Sequence, residues 1–192
     1  WSSDVCSSDL SVGAFRLVDG VVEVGTLSAT SFGLENGLAS AVLAGGATVT
    51  KGTSGVVTLS GVNALTGSMD ILAGTLAVVG GGLLTSGSVT VSGAGTVLTL
   101  GNTVQSVGAF RLMDGVVEVG TLSATSFGLE NGLVSAVLAG GATVTKGTSG
   151  VVTLSGANAL TGSMDILAGT LAVEGSGLLT SGSVTVNGAT AT

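Results

Sequence analysis

Histidine, proline and tyrosine are absent from this 192-residue chain, and cysteine and tryptophan occur once each. Serine and threonine abound, but without an imidazole none has the usual base that turns a hydroxyl into a nucleophile. Only four residues are basic, Arg16, Lys51, Arg111 and Lys146, and apart from Trp1 the aromatics are Phe15, Phe32, Phe110 and Phe127. That set makes neither a basic patch nor a stacking platform, which excludes nucleic-acid binding. No stretch approaches the roughly eighteen apolar residues of a membrane-spanning helix without Gly, Ser or Thr. A hydrophobic content of 45% is too high for a disordered chain. What fills the sequence is glycine, 35 residues and more than double the usual share of about 7%, with Ser, Thr, Val, Leu and Ala.

The first ten residues, WSSDVCSSDL, differ in composition from all that follows and hold the single Trp and the single Cys. Back-translated, all ten positions resemble a ligation adapter of short-read sequencing libraries. Residues 1–10 are therefore set aside as an adapter-derived artefact. Cys6 is then no evidence for a nucleophile, a metal ligand or a disulfide. Nor does the lack of a leader say whether the parent protein is secreted. With Asp4 and Asp9 set aside, nine carboxylates face four bases, a net charge of −5.

SVGAFRLVDGVVEVGTLSATSFGLENG from Ser11 returns as SVGAFRLMDGVVEVGTLSATSFGLENG from Ser106, a period of 95 residues with nine differences over 87 aligned positions. The chain thus divides into one unit at 11–105 and a second, truncated one at 106–192. One exchange sets Val79 against Glu174. A solvated position accommodates that pair and a buried one does not, so the side chain should face outward.

Within each unit run short stretches rich in β-branched residues: VVEV (21–24), SAVL (40–43), ATVT (47–50), VVTLS (56–60), TLAVV (75–79), SVTVS (88–92) and TVLTL (96–100). Their alternation, and the Gly residues between them, predict strands and leave no room for a helix of ten or more residues. The best helical competitor, residues 63–74, carries Gly67 and Gly74, each costing about 1 kcal/mol relative to Ala. Many short strands with regular glycine corners predict an all-β parallel β-helix, a solenoid whose turns stack and bury Val, Leu and Ile. A β-sandwich is the alternative, but it gives no reason for two near-identical units to continue without a linker. At roughly twenty residues per turn and about 4.8 Å of rise, one unit adds about five turns and 24 Å.

Lys51 to Val78 (KGTSGVVTLSGVNALTGSMDILAGTLAV) resembles the autotransporter-associated β-strand repeat of passenger domains in Gram-negative surface proteins. The positions that carry the resemblance are Lys51, Gly55, Val57, Leu59, Ser60, Gly61, Asn63, Gly67, Ile71, Gly74, Thr75, Leu76 and Val78. They recur at Lys146, Gly150, Val152, Leu154, Ser155, Gly156, Asn158, Gly162, Ile166, Gly169, Thr170, Leu171 and Val173. Leu65 and Leu160 stand where the family has an aromatic, and Gly52-Thr53 reverses the family's order. The resemblance implies a right-handed parallel β-helix, export, display outside the outer membrane, and a membrane-barrel domain elsewhere in the parent chain. It implies no single activity, because the matched positions shape turns and core.

Of the possible chemistry little survives. Asp19 with Glu23, and Asp114 with Glu118, are the nearest thing to a carboxylate pair. They read as solvated turn and strand-face residues, since a general acid needs burial or a like-charged neighbour. Asp70 has no second carboxylate nearby for calcium, and the Gly-rich calcium repeat is missing. VTKGTSG around Lys51 lacks the glycine spacing of a phosphate loop, and Lys51 is expected at a solvated corner. Asn63 and Asn158 read as turn residues whose amides bind nearby backbone, stacking in a ladder if the turns bring them into register.

The sequence therefore predicts a structural or adhesive segment of a secreted surface protein. It is no enzyme, with no catalytic, cofactor-binding or metal residues, no cofactor and no membrane insertion by this segment. Partners would be surface glycans or proteins. The alternatives are a polysaccharide-degrading or polysaccharide-binding β-helix and an ice- or mineral-binding solenoid. Cut turns at both ends are expected to drive concentration-dependent association of residues 11–192.

Overall fold

The computed structural model describes residues 9–23, 25–82, 84, 87–175 and 182–188. Among them every secondary-structure element is a strand, and every strand pairing is parallel. Ten strands stack as one column: β1 (Leu10–Leu17), β3 (Thr26–Leu34), β6 (Thr48–Lys51), β9 (Ser68–Ile71), β11 (Ser88–Val91), β13 (Val104–Leu112), β15 (Thr121–Leu129), β18 (Thr143–Lys146), β21 (Ser163–Ile166) and β23 (Ser183–Val186). Short strands flank this column in the same sheet, β5 (Val42–Gly45) and β8 (Ala64–Leu65) in the first unit, β17 (Val137–Gly140) and β20 (Ala159–Leu160) in the second. A second sheet of nine strands holds β2 (Val21–Val22), β4 (Gly37–Ala39), β7 (Val56–Leu59), β10 (Thr75–Val78), β12 (Val97–Thr99), β14 (Val116–Glu118), β16 (Gly132–Val134), β19 (Val151–Leu154) and β22 (Thr170–Val173). The result is a β-solenoid of about nine turns, not the antiparallel layers of a sandwich.

Its pitch can be followed on one ladder. Leu17, Leu34, Lys51, Ile71, Val91, Leu112, Leu129, Lys146, Ile166 and Val186 stand on successive rungs. The steps are 17, 17, 20, 20 and 21 residues, after which the series begins again, so a 95-residue unit is five turns. The division at 105/106 falls inside β13 and marks a phase of the repeat.

Alternation in each short strand puts every second side chain inside, as in SVTV and TVTK, where the second and fourth residues are buried. The neighbouring interior ladder runs Phe32, Val49, Met69, Val89, Phe110 and Phe127. Phe15 meets Phe32 edge to face at 6.0 Å, and Phe110 meets Phe127 at 6.1 Å. At some corners the rung one strand away leaves no space for a side chain. A Cβ on Gly61 would sit 2.2 Å from the Ala41 carbonyl oxygen of the turn before, and one on Gly67 would sit 2.1 Å from that of Ala47.

Each of the seven strand-like runs meets a strand, VVEV reduced to Val21–Val22 and SAVL to its last two residues, Val42 and Leu43, with Val24 outside the described residues. Residues 63–74 form β8 and β9, not a helix. The longest strands, β1, β3, β13 and β15, were not among the predicted runs. They begin in one half of their sheet and end in the other, and Gly and Ser inside them hide the β pattern. Val79 and Glu174 are both exposed, as their exchange required. Residues 1–8 lie outside the described residues, and Leu10 opens β1 opposite Leu27.

Candidate functional site

Polar side chains gather at the corner where the ten-strand column hands over to the second sheet. Arg16 pairs with Glu35 one turn on, and Arg111 with Glu130. The Asn36 amide donates to Asp19 Oδ1 at 3.0 Å, while its oxygen accepts the Val56 N–H at 3.1 Å. Asn131 does the same between Asp114 and Val151, at 3.1 and 3.2 Å. Each asparagine thus ties three consecutive turns together at the point where the step lengthens from 17 to 20 residues. The Thr53 hydroxyl donates to the Glu35 carbonyl at 2.9 Å, and Thr148 to Glu130 likewise. The arginines are largely solvated, so each ion pair is worth about 0–1 kcal/mol and serves register more than stability.

The predicted carboxylate pairs lie at this corner and on the strand beyond it. Asp19 and Glu23 are exposed, and Asp19 is engaged by Asn36. Asp114 also accepts the Gly115 N–H at 2.8 Å, and Glu118 stands beside Thr99 on the second sheet. Five turns separate Asp19 from Asp114, about 24 Å along the axis, far outside the 5–10 Å at which two carboxylates divide the work of glycoside cleavage. Asp70 faces outward between Thr50 and Thr90, and Asp165 between Thr145 and Thr185. Among the described residues no three His, Cys, Asp or Glu side chains group as a metal site would require, and no helix is long and apolar enough to cross a membrane.

Lys51 and Lys146 correct the expectation of a solvated corner. Both are fully buried, one rung from Leu34 and Ile71 in the first unit and from Leu129 and Ile166 in the second. The strand phase decides this, because Thr48 and Thr50 point out and Val49 and Lys51 point in. The four-carbon stem fills the interior slot, and the ammonium reaches the corner backbone. Lys51 Nζ donates to the Thr53 carbonyl of its own turn and, at 3.1 Å, to the Ala73 carbonyl of the next. Lys146 binds Thr148 and, at 3.2 Å, Ala168 in the same way. Burial pushes both amines below their ordinary pKa, opposed by Glu35 and Glu130.

Buried amides close the gaps left where a flanking strand stops. Asn63 Oδ1 accepts the Leu43 N–H at 2.9 Å, and Asn158 accepts that of Leu138 at 2.8 Å while donating to the Gly156 carbonyl. These amides do bind backbone, but the group met in the preceding turn is a leucine N–H, not a second asparagine, so no Asn ladder forms. Gln105, which the sequence reading overlooked, does the same for the Leu84 N–H at 2.7 Å and donates to Gly82 at 3.0 Å. Nothing in the sequence marks it, since its counterpart 95 residues earlier falls in the segment set aside as adapter-derived.

The outward side of the column is a strip of hydroxyls. Ser31, Thr48, Ser68 and Ser88 form one line, and Ser126, Thr143, Ser163 and Ser183 continue it after Ala109. A parallel line holds Thr50, Thr90, Thr145 and Thr185, broken by Asp70, Asp165, Arg111 and Gly128.

Stacked parallel strands, a recurring turn and corners held by amide and lysine caps define a parallel β-solenoid repeat protein. Within that class the chain carries two copies of the passenger-associated-transport-repeat, at residues 54–78 and 149–173, a repeat that with this fold fits an autotransporter passenger domain. Each copy runs through one full turn of the solenoid onto the next rung, since Val57 on β7 lies directly beside Leu76 on β10, and Val152 beside Leu171. Val57, Leu59, Ile71, Leu76 and Val78 fill the core, and Leu65 is buried in the place of the family's aromatic. Searches of curated proteins and of solved structures return no match.

Proposed function

We propose that this chain is a length of passenger domain, secreted and displayed outside the outer membrane of a Gram-negative cell. It acts as a stalk with weak adhesion repeated along its length and has no catalytic site of its own. The observation that carries this reading is that each family repeat winds once around the solenoid and stacks its last strand on its first. A sequence repeated in that form builds length, about 4.8 Å per turn, rather than a pocket. The hydroxyl strip supports adhesion to surface glycans or proteins, because feeble polar contacts repeated every five turns gain strength through avidity. A chain without histidine, whose carboxylate pairs lie five turns apart, has little with which to cleave a glycosidic bond. The membrane barrel expected of such a protein would belong to another part of the parent chain.

Displaying one, two and four 95-residue units on a Gram-negative cell tests the reading. Adhesion to glycan-coated beads should rise more steeply than unit number, and external protease should remove the segment. Robust glycan hydrolysis by the purified chain would overturn it in favour of a polysaccharide-degrading β-helix. The threonines of the two outward lines, Thr48 and Thr143 on one and Thr50, Thr90 and Thr145 on the other, favour one second reading, an ice- or mineral-binding face. Absence of thermal hysteresis and of any effect on crystal growth would dispose of that alternative.

A further inference from the structure

We propose that copies of this chain associate side by side, the outer face of the second sheet in one copy lying against the same face of another. Charge is confined to the other sheet, whose strands carry Arg16, Asp70, Arg111 and Asp165, whereas Glu118 is the single charged residue in the nine strands of the second sheet. The remaining outward positions of the second sheet are Val, Leu, Ala and Thr. Strand register gathers the larger of them. Val21 stands beside Leu38, and Val56 takes an outward position on the next rung. Further along, Val97, Val116 and Leu133 are direct neighbours on successive rungs, and Val151 follows them in the same way. Val21, Val56, Leu133 and Val151 are 55%, 50%, 37% and 49% exposed. A contiguous aliphatic strip of this kind on a soluble protein marks a surface that meets another.

Charge, period and area point to a second copy as the occupant. The strands of this face hold no base for an acidic partner, and no amide or aromatic ring for a sugar. They suit another flat, nearly uncharged β-face, since two sheets pack about 10 Å apart with their side chains interdigitating. The strip also has a period. Val21, Leu38 and Val56 return 95 residues later as Val116, Leu133 and Val151, about 24 Å along the axis, so two copies laid along each other meet every strip in phase. Nine rungs make the face about 38 Å long and roughly 10 Å wide, on the order of 400 Å² per copy. The total of about 800 Å² lies among transient contacts, below about 1,200 Å², and doubling the array brings it to the standard size of about 1,600 Å². Pairing is therefore weak for this chain and strengthens with each added unit. The same patch serves both copies, so the contact is isologous. It rests on the solenoid alone and adds lateral pairing to the stalk proposed above.

Sedimentation velocity over a concentration series, on the full chain and on its tandem duplicate, is the test. The full chain should dimerise at high concentration, and the duplicate at a concentration at least tenfold lower. A duplicate carrying Leu133→Lys and Val151→Lys in both halves should need at least tenfold more protein than the unaltered duplicate while keeping its circular dichroism and melting curve. Thr90→Lys, on the other sheet, should associate as the unaltered protein does. Monomers throughout both series, or a double-lysine variant that pairs as readily as the unaltered duplicate, overturn the proposal. Equal loss with Thr90→Lys does so too, because it would make the effect one of net charge. A charge swap reads whether the face meets itself. Mixing the double-lysine chain with one carrying Leu133→Glu and Val151→Glu should restore pairing that neither shows alone. No recovery on mixing, with the unaltered duplicate captured on octyl beads, would give the face an apolar surface as its occupant and overturn self-pairing.

Discussion

Replacing Lys51 by methionine keeps the buried stem and removes the ammonium that joins two successive turns. The half-buried Thr53 and Ala73 carbonyls lose that donor. A buried acceptor stripped of its partner costs about 1–3 kcal/mol, so Lys51→Met should lower stability by about that amount at pH 7. The charge itself gives the effect a second signature. Burial holds the folded pKa of Lys51 and Lys146 below the ordinary value of 10.5, so in the window beneath 10.5 the unfolded chain binds more protons than the folded one. Wild-type stability should therefore rise with pH through that window, the neutral amine still donating its hydrogen bonds. No histidine or tyrosine obscures the reading. Urea unfolding followed by far-UV circular dichroism between pH 7 and 10.5 measures both effects. The single variant should lose part of the alkaline rise, and Lys51→Met with Lys146→Met nearly all of it. A methionine variant as stable as wild type at pH 7, or a double variant with the full alkaline rise, would refute the structural role of these amines.

Three further outcomes follow from packing. Gly61→Ala sets a methyl 2.2 Å from the Ala41 oxygen and should cost about 1–3 kcal/mol, whereas Gly46→Ala, with nothing nearer than the Thr66 hydroxyl at 3.7 Å, should change the urea midpoint little. Asn158→Ala strands the Leu138 N–H and should cost about 1–3 kcal/mol, with faster hydrogen exchange at that amide as the direct readout. Val119 holds a left-handed backbone, φ 54, that a β-branched residue adopts at a cost of roughly 1–2 kcal/mol. Val119→Asn should therefore raise the melting temperature, and an unchanged or lower one would show that the valine is not strained.

The solenoid was legible because two sequence periods are visible at once, the 95-residue duplication and the two-residue alternation within each strand. Outward Glu174 could be assigned for the same reason, since the duplicated copy supplied Val79 for comparison. The interior lysines were misassigned by residue type, although their phase was available in ATVTK, where Thr, Val, Thr and Lys alternate out, in, out and in. Gln105 gave no such warning, because an amide that caps a backbone N–H from the turn before looks in sequence like any polar loop residue. The long strands escaped for a different reason. In SVGAFRL and TLSATSFGL the residues that carry the chain around a corner are Gly, Ala and Ser, which break the β-branched pattern while the backbone continues to pair. The hydroxyl strip was partly visible in ATVT, but its continuity through Ser68, Ser88 and Ser126 depends on inter-turn register, which steps of 17, 20 and 21 residues conceal.

Small-angle scattering from chains with one, two and three 95-residue units tests the central claim most directly, that each unit is five stacked turns of one stalk. The account predicts a constant cross-section and a length that grows by about 24 Å per unit. A cross-section that widens with each unit, or a length increment typical of separate globular domains joined by linkers, would contradict it.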